Sequence, residues 1–431
     1  MSEQRVVITG IGVVSPIGVG REAFWKAALE GRSGAIRLES PWVQDTGLTT
    51  QIACPVRDLD PESAGIPGKQ VNLLDRTTWF ALIGAREALE DAGFALAPHP
   101  GNRGSLHVEG VDATRLGTQI GSGIGGVKTF EVSHAAWRES RSKNAVKRYS
   151  LPMLIPNAPA GQVAIRFGAK GECKAVCTAC AAGTMAIGDA WRLLRRGDAD
   201  VVLAGGTEGL ALDHDGFALM GFDRLRTMSA RNDEPQRASR PFDKLRDGFV
   251  LGEGAAVLVL EREEYARARG ARPYARIVGY ASNCDAASMM QLDESGESIV
   301  ALIRAALATA SMDVSDVDHV NVHGTSTVSN DKTESLALRK VLASRYRDVA
   351  VTALKSMTGH AIGASGALET AALALSFRSG VLTPTINYEV PDPECDVNLV
   401  ANRPREHRPR VALKLSYGFG GHNACLVLAA M

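Results

Sequence analysis

Lys174-Ala175-Val176-Cys177-Thr178-Ala179-Cys180-Ala181-Ala182-Gly183 runs from a short apolar strand straight into a helix. The residues through Cys177 read as a buried strand. The helix predicted over 181–196 stops at Gly197 and carries Arg192, Arg195 and Arg196 in its last turns. Cys180 therefore sits where unpaired amides and the positive end of a helix dipole converge. Both favour thiolate, so its pKa is expected to be lowered. A small buried core cysteine is the alternative reading.

Other reactive residues occupy equivalent places. His323 ends Asp318-His319-Val320-Asn321-Val322 and opens Gly324-Thr325-Ser326-Thr327. Lys355 ends Val349-Ala350-Val351-Thr352-Ala353-Leu354, and His360 follows in Ser356-Met357-Thr358-Gly359-His360. Phe419 lies in Tyr417-Gly418-Phe419-Gly420-Gly421, straight after Val411-Ala412-Leu413-Lys414-Leu415. Each group follows the carboxyl end of an apolar strand, the edge where open α/β sheets place their sites. The sum is a Cys–His–His–Lys constellation beside a glycine-rich loop.

Strands alternate with helices along the chain, which predicts an α/β fold with a parallel or mixed sheet. A helix over 75–93 turns Trp79, Leu82, Ile83 and Leu89 to one side. Another buried strand covers 200–206, and 96–113 reads as a surface excursion rich in Pro, Gly and His. The best internal boundary is near Arg267-Ala268-Arg269-Gly270-Ala271-Arg272-Pro273, dividing the chain into 1–265 and 266–431. No repeat is visible in the sequence itself. The 48 basic and 48 acidic residues cancel, so nothing points to nucleic acid or a membrane surface. No run is long and apolar enough to cross a bilayer. Met1-Ser2-Glu3-Gln4-Arg5 leads into a strand without a signal peptide, and seven cysteines suit reduced thiols; a cytoplasmic location is expected.

These motifs resemble the β-ketoacyl-acyl-carrier-protein synthases, condensing enzymes of the thiolase superfamily, and most closely the elongating synthases of the second type. The resemblance starts at Val6-Val7-Ile8-Thr9-Gly10-Ile11-Gly12 and runs through Asn157-Ala158-Pro159-Ala160-Gly161-Gln162. It continues through Ser239-Arg240-Pro241-Phe242-Asp243 and Arg246-Asp247-Gly248-Phe249 to the carboxyl-terminal motifs. It implies a thiolase-like fold of two pseudo-symmetric halves in five alternating α-β-α-β-α layers. The first half would carry the nucleophile Cys180, and the second His323, Lys355, His360 and the glycine-rich loop. It implies decarboxylative condensation of a Cys180-bound acyl group with malonyl-acyl-carrier-protein, without metal or cofactor beyond the carrier's phosphopantetheine arm. His323 and His360, as neutral imidazoles, would donate to the enolate oxygen, and the backbone amides of Cys180 and Phe419 would form an oxyanion hole. Lys355 would set the electrostatics of His360. Glu369 either pairs with that lysine or is an ordinary helix-surface acid. Thr325 and Thr327 match hydroxyls that bind the pantetheine arm, and Ile124, Met153 and Leu154 fall at the acyl pocket. Expected partners are acyl carrier protein and either a second copy or a chain-length-factor-like paralogue. The strand over 173–177 would pair with its counterpart, with residues near Met153 flooring the partner's pocket. Arg224, Arg226, Lys128 and Arg148 are candidates to receive the acidic carrier, though each such residue is more often just a solvated charge.

Two other motifs compete. Cys173, Cys177 and Cys180 are spaced C-x3-C-x2-C, as in radical S-adenosylmethionine enzymes. Here Cys177 lies in an apolar strand-to-helix run, and Ala179 stands where those enzymes usually have an aromatic. Gly121-Ser122-Gly123-Ile124-Gly125-Gly126 matches a dinucleotide fingerprint, but the following strand and acidic ribose ligand are missing. Its glycines are expected to permit close packing at the acyl pocket. Departures from the family bear on substrate. Val328-Ser329 replace Pro-Leu or Pro-Ala, and Met290-Gln291 replace a pair of hydroxyl residues. Tyr417 and His422 replace Phe and Thr, and Met153 and Leu154 replace aromatic residues at the acyl-pocket floor. A fatty-acid elongating synthase and a ketosynthase of an aromatic or polyene polyketide system both remain open. A non-catalytic partner subunit normally lacks the nucleophile, so Cys180 argues against it.

Overall fold

The computed structural model describes residues 4–102, 104–212 and 216–431. Met1-Ser2-Glu3, and Arg103 within the expected surface excursion, lie outside the described residues.

The chain builds two sets of five principal strands. The first comprises β1 (Val6–Ser15), β2 (Leu116–Gly121), β3 (Cys173–Val176), β4 (Val201–Glu208) and β5 (Gly254–Arg262). The second comprises β6 (Ala275–Cys284), β7 (His319–Asn321), β8 (Ala350–Thr352), β9 (Val411–Gly418) and β10 (His422–Ala429). The spatial orders are β3-β2-β4-β5-β1 and β8-β7-β9-β10-β6, which are the same order position by position. The directions match as well. β2 runs parallel to β3 and β4, as β7 does to β8 and β9. The pairs β4–β5, β5–β1, β9–β10 and β10–β6 are antiparallel. A short antiparallel junction, Val6 opposite Ile277 to Ile8 opposite Ala275, joins the half-sheets.

Even the irregularities correspond. The register slips between Ile8 and Gly10 in β1, and between Ile277 and Gly279 in β6. At both glycines a Cβ would collide with a helix carbonyl, Ala88 O or Ala306 O. A bulge with glycine at that point lets a helix press onto the strand.

The helices α1 (Arg76–Asp91) and α4 (Ala158–Phe167) cover the first half-sheet. The Asp75 carboxylate caps α1 by accepting from Thr77 N at 3.0 Å. Between α1 and α4 in sequence come α2 (Val127–Ser140) and α3 (Ser150–Leu154). α5 (Ala182–Arg195) packs on β2 and β4 and also on β6 and β10. α6 (Glu297–Thr309) and α7 (Val328–Leu342) cover the second half-sheet from outside. α8 (Ser365–Ser379) packs on β4, β5 and β9. Every residue of α8 from Ser365 to Ser376 is buried, as a helix without a polar face must be. The pair α5 and α8 is therefore the middle layer of an α-β-α-β-α stack. One apolar cluster runs through it, from Ile11 and Leu258 across Leu194 and Leu368 to Leu426.

The segment before Cys180 corrects the expectation of a buried strand. β3 is the last strand of its half-sheet and has a single neighbour, so Cys173 and Lys174 are exposed and Val176 alone of its residues is buried. The expected excursion over 96–113 holds a small hairpin, Leu96–Pro98 against Leu106–Val108, pinned by Val108 to the outer core. Among the described residues no helix is long and apolar enough to cross a membrane.

Candidate active site

A single 3-10 turn, Ala179–Ala181, carries Cys180 from the end of β3 to the start of α5. Ala179 holds a left-handed φ of 48° there. Ser326 (φ 70°) and Ile362 (φ 44°) do the same beside Thr325 and His360. Such conformations are costly for residues with a Cβ and gather where geometry serves function. The turns surround a cavity of about 300 Å³, lined by Cys180, His323, His360, Thr325, Thr327 and Phe419 among others. Cys180, His323, His360 and Phe419 therefore share one pocket, and Lys355 stands behind it against His323.

The amide hydrogens of Cys180 and Phe419 both reach the Cys180 sulfur. Close packing makes this possible: a Cβ at Gly418 would meet Thr178 O at 2.8 Å and Cys180 N at 3.1 Å. The expected low thiol pKa is not what this environment produces. Burial pushes the Cys180 thiol up to about 12, and the nearby Lys355 charge and the two amides only partly oppose it.

The Lys355 ammonium donates to His323 O at 2.6 Å and pairs with Glu369 Oε1 at 2.5 Å. It also lies 3.4 Å from His323 Nδ1, which must accept, so the proton of that ring belongs on Nε2. His360 Nδ1 meets the Ser365 hydroxyl at 2.9 Å, and the two rings cross edge to face at 5.4 Å. Burial, reinforced by the Lys355 charge, holds both imidazoles well below their ordinary pKa. They are neutral at physiological pH. Glu369 is buried and ion-paired, which settles the choice left open for it.

Several residues escaped the sequence reading. Lys414 pairs with the second Glu369 oxygen at 2.7 Å and is fully buried. A lysine inside Val411-Ala412-Leu413-Lys414-Leu415 was the available signal, since unpaired lysines avoid apolar strands. Glu334 accepts from the backbone amides of His323 (2.7 Å) and Gly324 (2.9 Å), and burial lifts its carboxyl to about 7. Tyr417 stacks edge-on to His323 at 5.3 Å. Glu208 accepts from Ser122 Oγ (2.9 Å), Gly123 N (2.6 Å), Ile124 N (3.2 Å) and Gly363 N (3.0 Å). The Gly123 and Ile124 amides of the glycine-rich 121–126 loop are thus spent on a carboxylate of the same chain, where a nucleotide phosphate would have to sit.

Two pocket expectations need correction for the single chain. Met153 and Leu154 do not line the Cys180 cavity. They belong to α3, and Met153 instead faces hollows beside Leu74 and Tyr149. Ile124 also stays outside the cavity; it packs with Ile362 and Phe222 in the apolar cluster that contains Cys180. Leu225 and Thr227 line the cavity, so the exposed Arg224 and Arg226 flank its mouth. Lys128 borders the Met153 hollow instead, and Arg148 covers the Tyr149 ring. Among the described residues no group of three or more His, Cys, Asp or Glu side chains is arranged to hold a metal.

A buried Cys–His–His–Lys set between two matched half-sheets defines a condensing enzyme of the thiolase-like fold. Comparison with known proteins agrees. Residues 3–266 match the Beta-ketoacyl synthase, N-terminal domain, and residues 274–389 the Beta-ketoacyl synthase, C-terminal domain. The chain is 40% identical to 3-oxoacyl-[acyl-carrier-protein] synthase 2 of Staphylococcus aureus (strain N315), covering 98% of each chain. It is 40% identical to the protein of the same name from Coxiella burnetii, covering 100% of this chain and 99% of that one. A β-ketoacyl synthase from Burkholderia phymatum STM815 superposes with a TM-score of 0.89 at 34% identity, over 99% of this chain and 100% of that one. The ishigamide ketosynthase/chain length factor gives 0.88 at 32% identity over 100% of both chains. A type II polyketide ketosynthase solved with its acyl-carrier protein, AntDE:AntF, gives 0.88 at 33% over 100% of both. This chain belongs to the β-ketoacyl synthase family and is an acyltransferase of that kind.

Proposed function

We propose that the protein condenses an acyl thioester with malonyl-acyl-carrier-protein in fatty-acid elongation, releasing carbon dioxide and forming 3-oxoacyl-acyl-carrier-protein. The observation that carries this reading is the convergence of the Cys180 and Phe419 amides on the Cys180 sulfur, in a pocket shared with two neutral imidazoles.

Cys180 attacks the thioester carbonyl of the incoming acyl-carrier. Its sulfur–acyl bond forms as the carrier's sulfur–acyl bond breaks, and the thiol proton ends on the released pantetheine thiol. The Ser365 hydroxyl can donate to or accept from His360 Nδ1, so His360 Nε2 is free to present either a lone pair or an N–H. As a lone pair it can relay that proton. Malonyl thioester then enters along Thr325 and Thr327, whose hydroxyls are 2.9 Å apart at the pocket wall. Loss of carbon dioxide leaves an enolate, whose oxygen takes hydrogen bonds from His323 and His360. The carbanion attacks the acyl carbonyl, the oxyanion rests on the Cys180 and Phe419 amides, and the Cys180 sulfur leaves as a thiolate that takes up one proton from solvent to restore the resting thiol. Each step balances without an external oxidant, reductant or metal. The only carried group is the phosphopantetheine arm.

We assign the acyl carrier protein to the mouth flanked by Arg224 and Arg226, and place the enzyme in the cytoplasm, where its free cysteines stay reduced. Residues 1–265 and 266–431 are taken as its two ketosynthase halves. A second copy is the expected partner, with Met153 and Leu154 flooring the neighbour's pocket. The ketosynthase/chain-length-factor neighbour keeps one alternative, a polyketide ketosynthase paired with a paralogue. Identity favours the elongating reading, 40% against 32–33%. Purified protein given acyl- and malonyl-acyl-carrier-protein should release carbon dioxide in step with 3-oxoacyl product. Hydrolysis of either thioester without condensation would refute the assignment.

A further inference from the structure

Lys414 stands on β9, in the run that leads into the Phe419 loop, and its side chain is fully buried. Its ammonium is spent in three directions: Glu369 Oε2 at 2.7 Å, Ser416 Oγ at 3.0 Å and Leu415 O. Ser416 Oγ is in turn 2.8 Å from Thr184 Oγ1 on α5, the helix that Cys180 precedes. Glu369 therefore bridges two buried lysines, with Oε1 on Lys355 and Oε2 on Lys414. A carboxylate held from both sides cannot turn away from Lys355, and Lys355 in turn is held against His323 O and Nδ1.

We infer that Lys414 is a second positioning cation of the condensing site, which locks Glu369 and Lys355 onto His323 and leaves the buried cluster with one surplus positive charge. The inference rests on the condensing function proposed above and adds a residue to it. Burial and the Lys355 charge pull the Lys414 pKa down from its ordinary value while Glu369 opposes them, and the count is made for the protonated lysine, whose three acceptors are given above. Glu369 neutralises one lysine. Glu334 faces the cluster from α7, but burial lifts its carboxyl to about 7, so below neutral pH it does not offset the other. The remaining facing groups are Tyr417 and Cys425 on β9 and β10, whose acidities burial weakens, and the Cys180 thiol. All are uncharged at neutral pH. The surplus charge opposes protonation of His323 and His360, so His323 Nδ1 stays the acceptor that faces the Lys355 ammonium and the ring keeps its position, and the charge favours the enolate formed beside them.

Malonyl-acyl-carrier-protein decarboxylation followed across pH tests this. The parent should stay fully active below pH 6.5, the ordinary histidine pKa, because its imidazoles resist protonation. In Lys414→Met the acid limb should move up by about one pH unit, the scale of one charge across a buried site. Lys414→Gln retains hydrogen-bond donors without the charge, and it should shift likewise. Iodoacetamide labelling of Cys180 should shift less than the decarboxylation limb in both variants, since Lys414 acts on that thiol only through Lys355. A general structural defect would depress both readouts without moving the limb. An acid limb at or above pH 6.5 in the parent, or an unmoved limb in a folded variant, overturns the role of Lys414. A parent that does not decarboxylate at all refutes the condensing function itself.

Discussion

Cys180 shows how far one residue's environment can depart from its motif. Position at a helix start argues for thiolate, yet Cys180 is buried in an apolar cluster with Ile362, Phe249 and Leu251, and burial outweighs the amides and Lys355. The nucleophile is accordingly expected to need a base at the moment of attack. Iodoacetamide labelling of Cys180 should rise steadily through pH 9; a plateau below pH 7 would restore the preformed thiolate. His323 and His360 divide the work differently. Replacing either by Ala should lower malonyl decarboxylation by roughly 10²–10³-fold, the usual loss for one donor to a developing anion. Cys180 should still accept some acyl group in those variants. Cys180→Gln should lose condensation and keep decarboxylation. Normal decarboxylation rates in both histidine variants would remove the enolate role. The residues with this chemistry were legible because each sits at a strand end with a recognisable neighbour. Lys414, Glu334 and Glu208 were not, because a buried charge is defined by its partner, and the partners are 45 to 155 positions away in the case of Glu369–Lys414 and Glu208–Gly363 or, for Glu334–His323, only 11 but on the far side of a loop.

At the scale of elements, the matched half-sheets explain why the internal repeat was invisible in sequence. What recurs is strand order, direction and the glycine under a helix carbonyl, and none of these needs matching side chains elsewhere. Gly279→Ala should lower stability by about 1–3 kcal/mol, because its Cβ would press on Ala306 O and α6 must shift. Urea unfolding measures this, and an unchanged midpoint would show that the helix is not tied to the bulge. The strand over 173–177 was placed correctly but given the wrong burial. Four residues of mixed polarity do not reveal whether a neighbour exists on both sides; that is fixed by where the other strands go. The place of Met153 and Leu154 relative to Cys180 of the same chain was illegible for the same reason. Met153 and Leu154 are on α3, whose distance from Cys180 depends on how the 121–126 loop folds onto Glu208.

The whole molecule leaves one edge and one flank unfinished. β3 ends its half-sheet with an open ladder, and Phe130 and Leu151 on α2 and α3 are 51% and 69% exposed. A flat edge with apolar neighbours invites pairing with another chain. The protein should run as a dimer at micromolar concentration by light scattering, and Leu151→Asp should shift it toward monomer. A monomer in the unaltered protein would contradict the proposed assembly. If a partner's α3 floors the pocket, Leu154→Phe should shorten the product chains without changing the fold, and an unchanged product profile would remove Leu154 from the acyl path.

The central claim is that an acyl group rides on Cys180 and leaves it by condensation. Intact-mass analysis and peptide mapping after mixing with acyl-acyl-carrier-protein test it most directly. The expected result is one acyl adduct, mapped to Cys180, that disappears on addition of malonyl-acyl-carrier-protein as 3-oxoacyl product forms. An adduct on Cys173 or Cys177, or one on Cys180 that malonyl-acyl-carrier-protein leaves in place, would contradict it.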